Sequence, residues 1–353
     1  MLIGRGFLSL FQLAKEYRIV DKLGKVIEKR ANATHKPKET MKTIFKGFIQ
    51  NVRICHFQLK KTRANISTYY RDLRRCNEDS YKTAKDIMEK FYQKARKRKS
   101  IIITIDGTFI GVRGKKYENA HKMYSGNKKD KGKKGYTVVT CFDSINKMPI
   151  SFEVPNIHEI HAFPKLIEKV RKLEEEEKVR IKLIVLDALY ISKEILDGIS
   201  NYNFILRVPS HEWIIKYIDG ETEKGYREIE LWGHKVTLHW KYSKGNKEYK
   251  LLITNTKSSK IWWKYGHYKQ MVENYHNDLK NKFGIRKLPS QKFYAILVYF
   301  CIILLIYMLV RALLLGLGLN DLSCGTVLFV AHNSSSKRSL LENLFKLSKK
   351  KRR

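Results

Sequence analysis

An α/β fold is predicted, because apolar β-branched runs typical of buried strands alternate with amphipathic helical patterns. Residues 101–105 form the first run and residues 181–186 the second, with a helical pattern at 162–180 between them. Each run is followed by an aspartate, Asp106 and Asp187. Ligands of α/β proteins bind in the crevice outside the carboxyl ends of strands. The two aspartates are therefore predicted to belong to one site.

The elements around the two aspartates follow from similar patterns. Further strands are predicted at residues 108–112, 136–142, 149–154 and 203–208, and a helix at 192–200. The strands on either side of Asp106 are expected to form an antiparallel meander. One alternative stays open, since Asp-Gly between apolar runs is also a strong hairpin signal. Asp106 and Gly107 are therefore either the end of a strand or a tight turn.

Residues 211–256 have the character of a β insertion. Short strands are predicted at 213–218, 226–231, 235–242 and 249–254, with turn signals between them. This segment is longer than a strand-to-helix connection requires. A helix is expected at 261–283, ended by Gly284 and Pro289. Glu273 and Lys280 lie seven residues apart on that helix and therefore share one face.

The charge of the chain predicts a polyanionic partner. The chain has 71 Lys and Arg residues against 34 Asp and Glu, a net charge of +37. Nucleic acid and an anionic membrane surface both fit this excess. The five cysteines include no C-x-x-C pair, so neither a zinc site nor a disulfide framework is indicated, and a reducing compartment fits. His158 and His161 have no third ligand in sequence, which favours a structural role for both.

The two ends of the chain are predicted to be helical. Residues 1–99 have helical patterns, and a helix at 68–75 after a polar turn is typical of a DNA-reading helix-turn-helix. The alternative is an ordinary three-helix bundle with a solvated basic face. Residues 295–319 are almost uninterruptedly apolar, so hydropathy leaves a core helix and a membrane span open. The tail at 337–353 is a basic amphipathic helix for nucleic acid or acidic lipid.

Three carboxylates stand out for chemistry: Asp106, Asp187 and Glu273. Hard divalent cations such as Mg²⁺ take oxygen ligands, few from protein and the rest from water and phosphate. Two such ions can clamp the attacking and leaving oxygens of an in-line phosphoryl transfer. The surrounding Lys and Arg residues would attract a polyanionic substrate. The sequence therefore predicts a metal centre for chemistry on DNA.

These residues resemble the DDE transposases of insertion sequences, in the branch with a β-strand insertion before the glutamate. The matching pieces are Ile105-Asp106-Gly107-Thr108, Leu186-Asp187-Ala188-Leu189-Tyr190, and Tyr268-Lys269-Gln270-Met271-Val272-Glu273 followed by Leu279-Lys280. The resemblance implies a ribonuclease-H-like mixed sheet flanked by helices, with an inserted β subdomain and an N-terminal helical domain. It also implies metal-dependent cleavage of element ends and transfer of 3′-hydroxyls to target DNA.

The resemblance assigns roles to single residues. It implies that Asp106, Asp187 and Glu273 are the catalytic metal ligands, with Mg²⁺ or Mn²⁺, two ions in all. Lys269 and Lys280 are expected to bind DNA phosphates, and Tyr190 to contact the DNA end. The sequence departs from the family pattern at three positions: Lys269 replaces an arginine, Gly266 a tyrosine and Leu189 a glycine.

The resulting organisation has five parts: a helical DNA-binding region at 1–99, a catalytic core at 100–210 and 257–320, the β insertion at 211–256 and a basic tail at 321–353. The expected partners are element ends and target DNA, bound by a homodimer in the cytoplasm at the nucleoid, with no small-molecule substrate. The resemblance makes a core helix, not a membrane span, the expectation for 295–319. Two alternatives remain: a nuclease on the same core, and a membrane-anchored nucleic-acid-binding protein without catalysis.

Overall fold

The computed structural model describes residues 18–26, 38–39, 71–114, 116–123, 130–156, 158–218, 222–245, 247–320, 322–324, 327, 342–344 and 346–348. The chain divides into two compact units. The first unit comprises Met1–Lys97, Phe109–Tyr136 and Tyr275–Arg353, and the second comprises Arg98–Thr108 and Thr137–Asn274. Asp106, Asp187 and Glu273 all belong to the second unit.

The strands and helices confirm the predicted mixed α/β class. The strands are β1 (Ser100–Gly111), β2 (His121–Lys122), β3 (Lys134–Asp143), β4 (Met148–Glu153), β5 (Arg180–Leu186), β6 (Phe204–Val208), β7 (Lys224–Leu231), β8 (His234–Ser243) and β9 (Glu248–Thr254). The helices are α1 (Ile19–Leu23), α2 (Glu78–Ala95), α3 (Phe163–Glu177), α4 (Lys193–Ile199), α5 (Glu212–Ile215), α6 (Ile261–Asn281) and α7 (Phe293–Gly316).

One mixed sheet joins these strands in the order β4-β3-β1-β5-β6-β9-β8-β7, with β2 paired to the start of β3. The pairs β1–β5 and β5–β6 are parallel, as expected where helices α3 and α4 connect the strands. The pairs β3–β4, β6–β9, β8–β9 and β7–β8 are antiparallel. The sheet therefore has a parallel centre with antiparallel flanks.

The first strand is longer than the sequence predicted. Asp106 and Gly107 lie inside β1, so both the strand end and the hairpin at these residues were wrong. The reason is that β1 stays hydrogen-bonded to its neighbour on both sides of this point. Ser144 N–H donates to the Ile102 carbonyl, and Val112 N–H donates to the Lys134 carbonyl, both at 2.8 Å. The strand predicted at 108–112 is the second half of β1.

The insertion contributes three strands to the same sheet. Strands β7, β8 and β9 confirm the predictions at 226–231, 235–242 and 249–254, and β9 pairs directly with β6. The strand predicted at 213–218 was wrong, because residues Glu212–Ile215 form α5. The N–H groups of Ile214 and Ile215 both donate to the His211 carbonyl, which closes a helical turn. Only Ile214 of this turn is buried, so the apolar run has no strand-like face.

The first unit is built around the apolar helix α7, which packs against α2. Asn77 caps α2 by accepting a hydrogen bond from Ser80 N–H at 2.9 Å. Helix α7 is long and apolar enough to cross a membrane, with a mean hydropathy of 2.8 over its most apolar 18 residues. However, 89% of that window is buried inside the protein, which agrees with the core interpretation. Its one charged residue, Arg311, is also buried and donates to the Asn320 and Leu322 carbonyls.

Two predicted elements fall partly outside the described residues. These are the start of the helix-turn-helix at 67–75, of which residues 71–75 are described, and most of the basic tail at 337–353. The expectations that they bind DNA or an acidic surface stay predictions.

Candidate active site

The sheet register places Asp106 and Asp187 side by side. Strands β1 and β5 are parallel neighbours, and Ile105 is paired with Leu186. The residues that follow this pair are the two aspartates. Two carboxylates in adjacent strands repel each other unless a positive charge lies between them. The predicted convergence of these two residues is therefore present in the sheet itself.

The positive charge between them is the ammonium of Lys269. Its Nζ lies 2.7 Å from Asp106 Oδ1 and 2.9 Å from Asp187 Oδ2. The side chains of Lys269 and Asp106 are each 13% exposed, and that of Asp187 is 26% exposed. Burial alone would lower the pKa of Lys269, but the two carboxylates outweigh it and raise that pKa above its ordinary value. Lys269 is therefore firmly protonated.

Helix α6 positions Lys269 by packing its aromatic face on the sheet. Trp262, Tyr265 and Tyr268 contact a buried apolar cluster that includes residues of β1, β5, β6 and β9. Tyr265 and Lys269 are four residues apart and hence on the same face of the helix. The Tyr265 hydroxyl donates to Asp187 Oδ1 at 3.3 Å. Burial, together with the Asp187 charge, raises the pKa of Tyr265, so this hydroxyl stays a donor.

Asp187 has further donors of its own. It caps a short 3₁₀ helix, Ala188–Tyr190, by accepting a hydrogen bond from Ala188 N–H at 2.7 Å. Arg207 lies at the end of β6, and its Nη1 is 3.8 Å from Asp187 Oδ1. The Asp187 carboxylate is thus held by a backbone amide, a tyrosine, an arginine and the shared lysine.

Glu159 is a third carboxylate at this site, and the sequence reasoning missed it. It begins the 3₁₀ helix Glu159–Ala162 that follows β4. A Cβ at position 107 would overlap Glu159 Oε2 and lie 2.9 Å from its Cδ, so the carboxyl group rests on the glycine that follows Asp106. Burial and the nearby Asp106 carboxylate raise the pKa of Glu159 to about 7. Its one signal in the sequence is its position between His158 and His161, and both of these histidines are exposed.

Tyr190 is fully buried and packs against Phe163, with ring centroids 6.1 Å apart. Its hydroxyl has no hydrogen-bond partner among the described residues. Burial raises the pKa of Tyr190, as do the charges of Glu159, Asp106 and Asp187, so the ring lies beside the carboxylates. DNA has no access to the Tyr190 ring in this conformation, and its predicted DNA contact stays a prediction.

Glu273 and Lys280 lie further along α6. Glu273 is exposed and follows Lys269 by four residues, about 6 Å along the helix axis. Lys280 is half-buried in the last turn of the helix, in the first unit. Among the residues that the structure describes, no three His, Cys, Asp or Glu side chains are arranged to hold a metal ion. Asp106 and Asp187 converge, whereas Glu273 does not join them here.

The pair nevertheless fits a divalent cation. The donor set consists of carboxylate oxygens, and Mg²⁺ is commonly held by one or two carboxylates plus substrate phosphates. The place between Asp106 and Asp187 already stabilises one positive charge, that of Lys269. A cation at this place requires the Lys269 ammonium to leave.

An α/β sheet with paired aspartates on adjacent central strands, in a strongly basic chain, is typical of enzymes that act on nucleic-acid phosphates with divalent metals. The family model described as a transposase DDE domain matches residues 97–309, more than half of the chain. The chain therefore belongs to the DDE transposase family, whose members are polynucleotidyl transferases and endonucleases that generally use divalent metals. No curated protein matches the sequence.

The fold also resembles a solved transposase. The similar structure is a cryo-EM structure of the piggyBac transposase synaptic complex with hairpin DNA. The TM-score is 0.59 at 13% sequence identity, and the match covers 96% of this chain and 81% of that one. At this identity the likeness concerns the fold alone. It confirms the predicted ribonuclease-H-like sheet.

Proposed function

We propose that this DDE transposase serves an insertion sequence, cleaving the element ends and joining their 3′-hydroxyls to target DNA. The single observation that supports this proposal is the convergence of Asp106 and Asp187 on one cation position. Such a pair suits the in-line chemistry of phosphodiesters, whose anionic oxygens need positive charge beside them. The net charge of +37 provides the attraction for DNA.

In this proposal Asp106, Asp187 and Glu273 are the metal ligands. Bound Mg²⁺ or Mn²⁺, two ions in all, supplies Lewis-acid stabilisation of the attacking and leaving oxygens. Glu273 is exposed one turn after Lys269, and a movement of α6 or of its side chain is needed for it to join the aspartates. Glu273 remains the expected third ligand because of its family spacing to Lys280.

The lysines and Tyr190 have supporting roles. Once Lys269 leaves the aspartates, its ammonium is available to a substrate phosphate close to the reacting bond. Lys280 is proposed to bind a phosphate further along the DNA. Tyr190 contacts the DNA end only if its covering side chains move, because its ring is buried. A homodimer on DNA would allow two element ends to be processed together.

A strand-cleavage assay tests the proposal. The substrate is a labelled duplex with the inverted repeat that borders the coding region, together with a supercoiled target plasmid. The protein is expected to nick the repeat and join it to the plasmid in Mg²⁺ or Mn²⁺, and not in EDTA. Asp106→Asn, Asp187→Asn and Glu273→Ala are each expected to lower cleavage by about 1,000-fold or more, the equivalent of several kcal/mol of transition-state stabilisation.

Glu176→Gln is the matched control, since it removes an exposed carboxylate on α3 and should retain full activity. Wild-type cleavage by either aspartate variant would contradict the metal site. Cleavage without joining, even when precut 3′-hydroxyl ends are supplied, would identify a nuclease instead of a transposase. Loss of activity in the aspartate variants but not in Glu273→Ala would remove Glu273 from the ligand set.

A further inference from the structure

We propose that Glu159 is an additional carboxylate of the metal centre and binds the cation on the Asp106 side. The inference rests on the proposed metal-dependent function and deepens it. It adds to the ligand set a residue outside the triad that the sequence indicated. Among the described residues no three carboxylates are arranged around an ion while Lys269 lies between the aspartates, so the inference requires the Lys269 ammonium to leave.

Glu159 packs closely on Gly107. Any side chain at position 107 would overlap the Glu159 carboxyl group, because even a Cβ collides with Oε2. Asp106 and Gly107 are consecutive residues of an extended strand. The Glu159 carboxylate is therefore held against the backbone of the residue next to Asp106. A glycine in the interior of a strand lowers the stability of the strand, and it often marks a place that another group approaches closely.

The Glu159 carboxylate has no partner among the residues that the structure describes. Within the described part of the chain, Glu159 has neither a hydrogen bond nor an ion pair within 4.0 Å. Lys269, the nearest cation that acts on it, is bound to Asp106 and Asp187. Carboxylates in buried surroundings are normally paired, hydrogen-bonded or bound to a metal. Among the described residues, no side chain or backbone group provides Glu159 with an ion pair or a hydrogen bond.

The carboxylates of the site outnumber the cations that contact them. Asp106, Asp187 and Glu159 bring three carboxylates to the site, against the single ammonium that contacts two of them. When Lys269 leaves, the three carboxylates and the Arg207 cation beside Asp187 leave an excess of two negative charges, which one divalent cation matches. The Tyr190 hydroxyl lies in the same neighbourhood and also lacks a hydrogen-bond partner among the described residues. Glu159 and Tyr190 are thus two polar groups of this site without a hydrogen-bond partner among the described residues.

Metal binding, measured without DNA and without turnover, tests the inference. Mn²⁺ is titrated into the full-length protein by calorimetry, for the wild type and for Glu159→Gln. We expect the Kd for Mn²⁺ to rise by about 10- to 100-fold in the variant, the usual cost of removing a group that supports a metal site. Glu168→Gln is the control. It removes a 61%-exposed carboxylate of α3 that is paired with Lys172, and it should leave the Kd unchanged.

A second variant and a melting experiment distinguish weaker metal binding from a folding defect. Gly107→Ala keeps the carboxylate but displaces it, so the Kd is expected to rise as in Glu159→Gln. In EDTA, Glu159→Gln should melt no lower than the wild type, because it removes an uncompensated charge, and it should gain less thermal stability from Mn²⁺. A variant that melts lower in EDTA and retains the wild-type gain from Mn²⁺ would show a structural role and overturn the inference.

Asp106→Asn and Asp187→Asn, titrated in the same way, separate this inference from the proposed function. Loss of Mn²⁺ binding in both aspartate variants, with a wild-type Kd in Glu159→Gln, overturns only the role of Glu159. Wild-type binding in both aspartate variants would overturn the proposed metal centre as a whole.

Discussion

Asp106 and Asp187 share the same lysine, yet their surroundings differ. Asp187 follows β5, is 26% exposed and accepts hydrogen bonds from Ala188 N–H and the Tyr265 hydroxyl. Asp106 lies inside β1, is 13% exposed and has the carboxylate of Glu159 resting on the next residue. The Asp187 half of the site is rich in donors, whereas the Asp106 half is rich in acceptors.

The difference indicates where the site lacks positive charge. On the Asp187 side, a helical cap, a tyrosine and Arg207 already stabilise the carboxylate. On the Asp106 side, Lys269 contacts the aspartate, and it must also neutralise Asp187. We therefore expect changes on the Asp106 side to alter cation binding and pH dependence strongly. Changes to the extra donors of Asp187 should have small effects.

The largest effect is expected from Lys269→Met, which removes the charge shared by both halves. Methionine has a similar helix propensity and length, so α6 should be retained. The two carboxylates then face each other without compensation. Removing one partner of a buried ion pair lowers the free energy of unfolding by about 3–5 kcal/mol. Because this site is partly exposed, we expect a loss of about 3 kcal/mol at pH 7 in EDTA.

Urea denaturation measures this loss. The matched control is Lys172→Met, which breaks an exposed ion pair on α3 and should leave the midpoint unchanged. Mg²⁺ should restore much of the lost stability in Lys269→Met, because it replaces the missing charge. Equal midpoints for the two variants would show that Lys269 does not neutralise the aspartates in solution.

The two halves also differ in how much of them the sequence could predict. Asp106 and Asp187 follow from strand patterns, because each terminates or interrupts an apolar β-branched run and the runs are parallel neighbours. That β1 continues through Asp106-Gly107 could not be predicted, since Asp-Gly between apolar runs is also a strong hairpin signal. Hydrogen bonds on both sides of these residues, from Ser144 N–H to the Ile102 carbonyl and from Val112 N–H to the Lys134 carbonyl, keep the strand paired. Tertiary contacts overrode the local signal.

The side chains around the pair were less predictable than the pair itself. Glu159 belongs to the site through its contact with Gly107, more than 50 residues earlier in the chain, and no periodicity reports such a contact. Lys269 was predicted for phosphate binding, but a lysine side chain is long and flexible, and its ammonium contacts the nearest negative charge. In the absence of DNA, that charge is the two aspartates.

The next effect is a pH dependence confined to the Asp106 half. Burial and Asp106 raise the pKa of Glu159 from 4.5 to about 7 in the folded protein. Between these values the folded state binds more protons than the unfolded state, so the contribution of Glu159 to stability falls as the pH rises. One pKa unit corresponds to about 1.4 kcal/mol, so ionisation of Glu159 lowers the free energy of unfolding by at most about 3 kcal/mol.

Glu159→Gln isolates this contribution. In EDTA, the free energy of unfolding of Glu159→Gln minus that of the wild type should be near zero at pH 4 and rise to its full value by pH 8. Taking the difference cancels the groups that titrate in both proteins. A flat difference across this range, or one that declines with pH, would mean that Glu159 is not destabilised by its neighbours.

The smallest effect is expected from Arg207→Gln, on the donor-rich side. Arg207 is 45% exposed and its Nη1 lies 3.8 Å from Asp187 Oδ1, so the interaction is weak and screened by solvent. Its removal should lower the free energy of unfolding by at most about 0.5 kcal/mol. In the Lys269→Met background, however, Arg207 becomes the remaining cation at Asp187, and its removal should cost more. A double-mutant cycle by urea denaturation measures this coupling, and strictly additive losses would show that Asp187 does not connect the two cations.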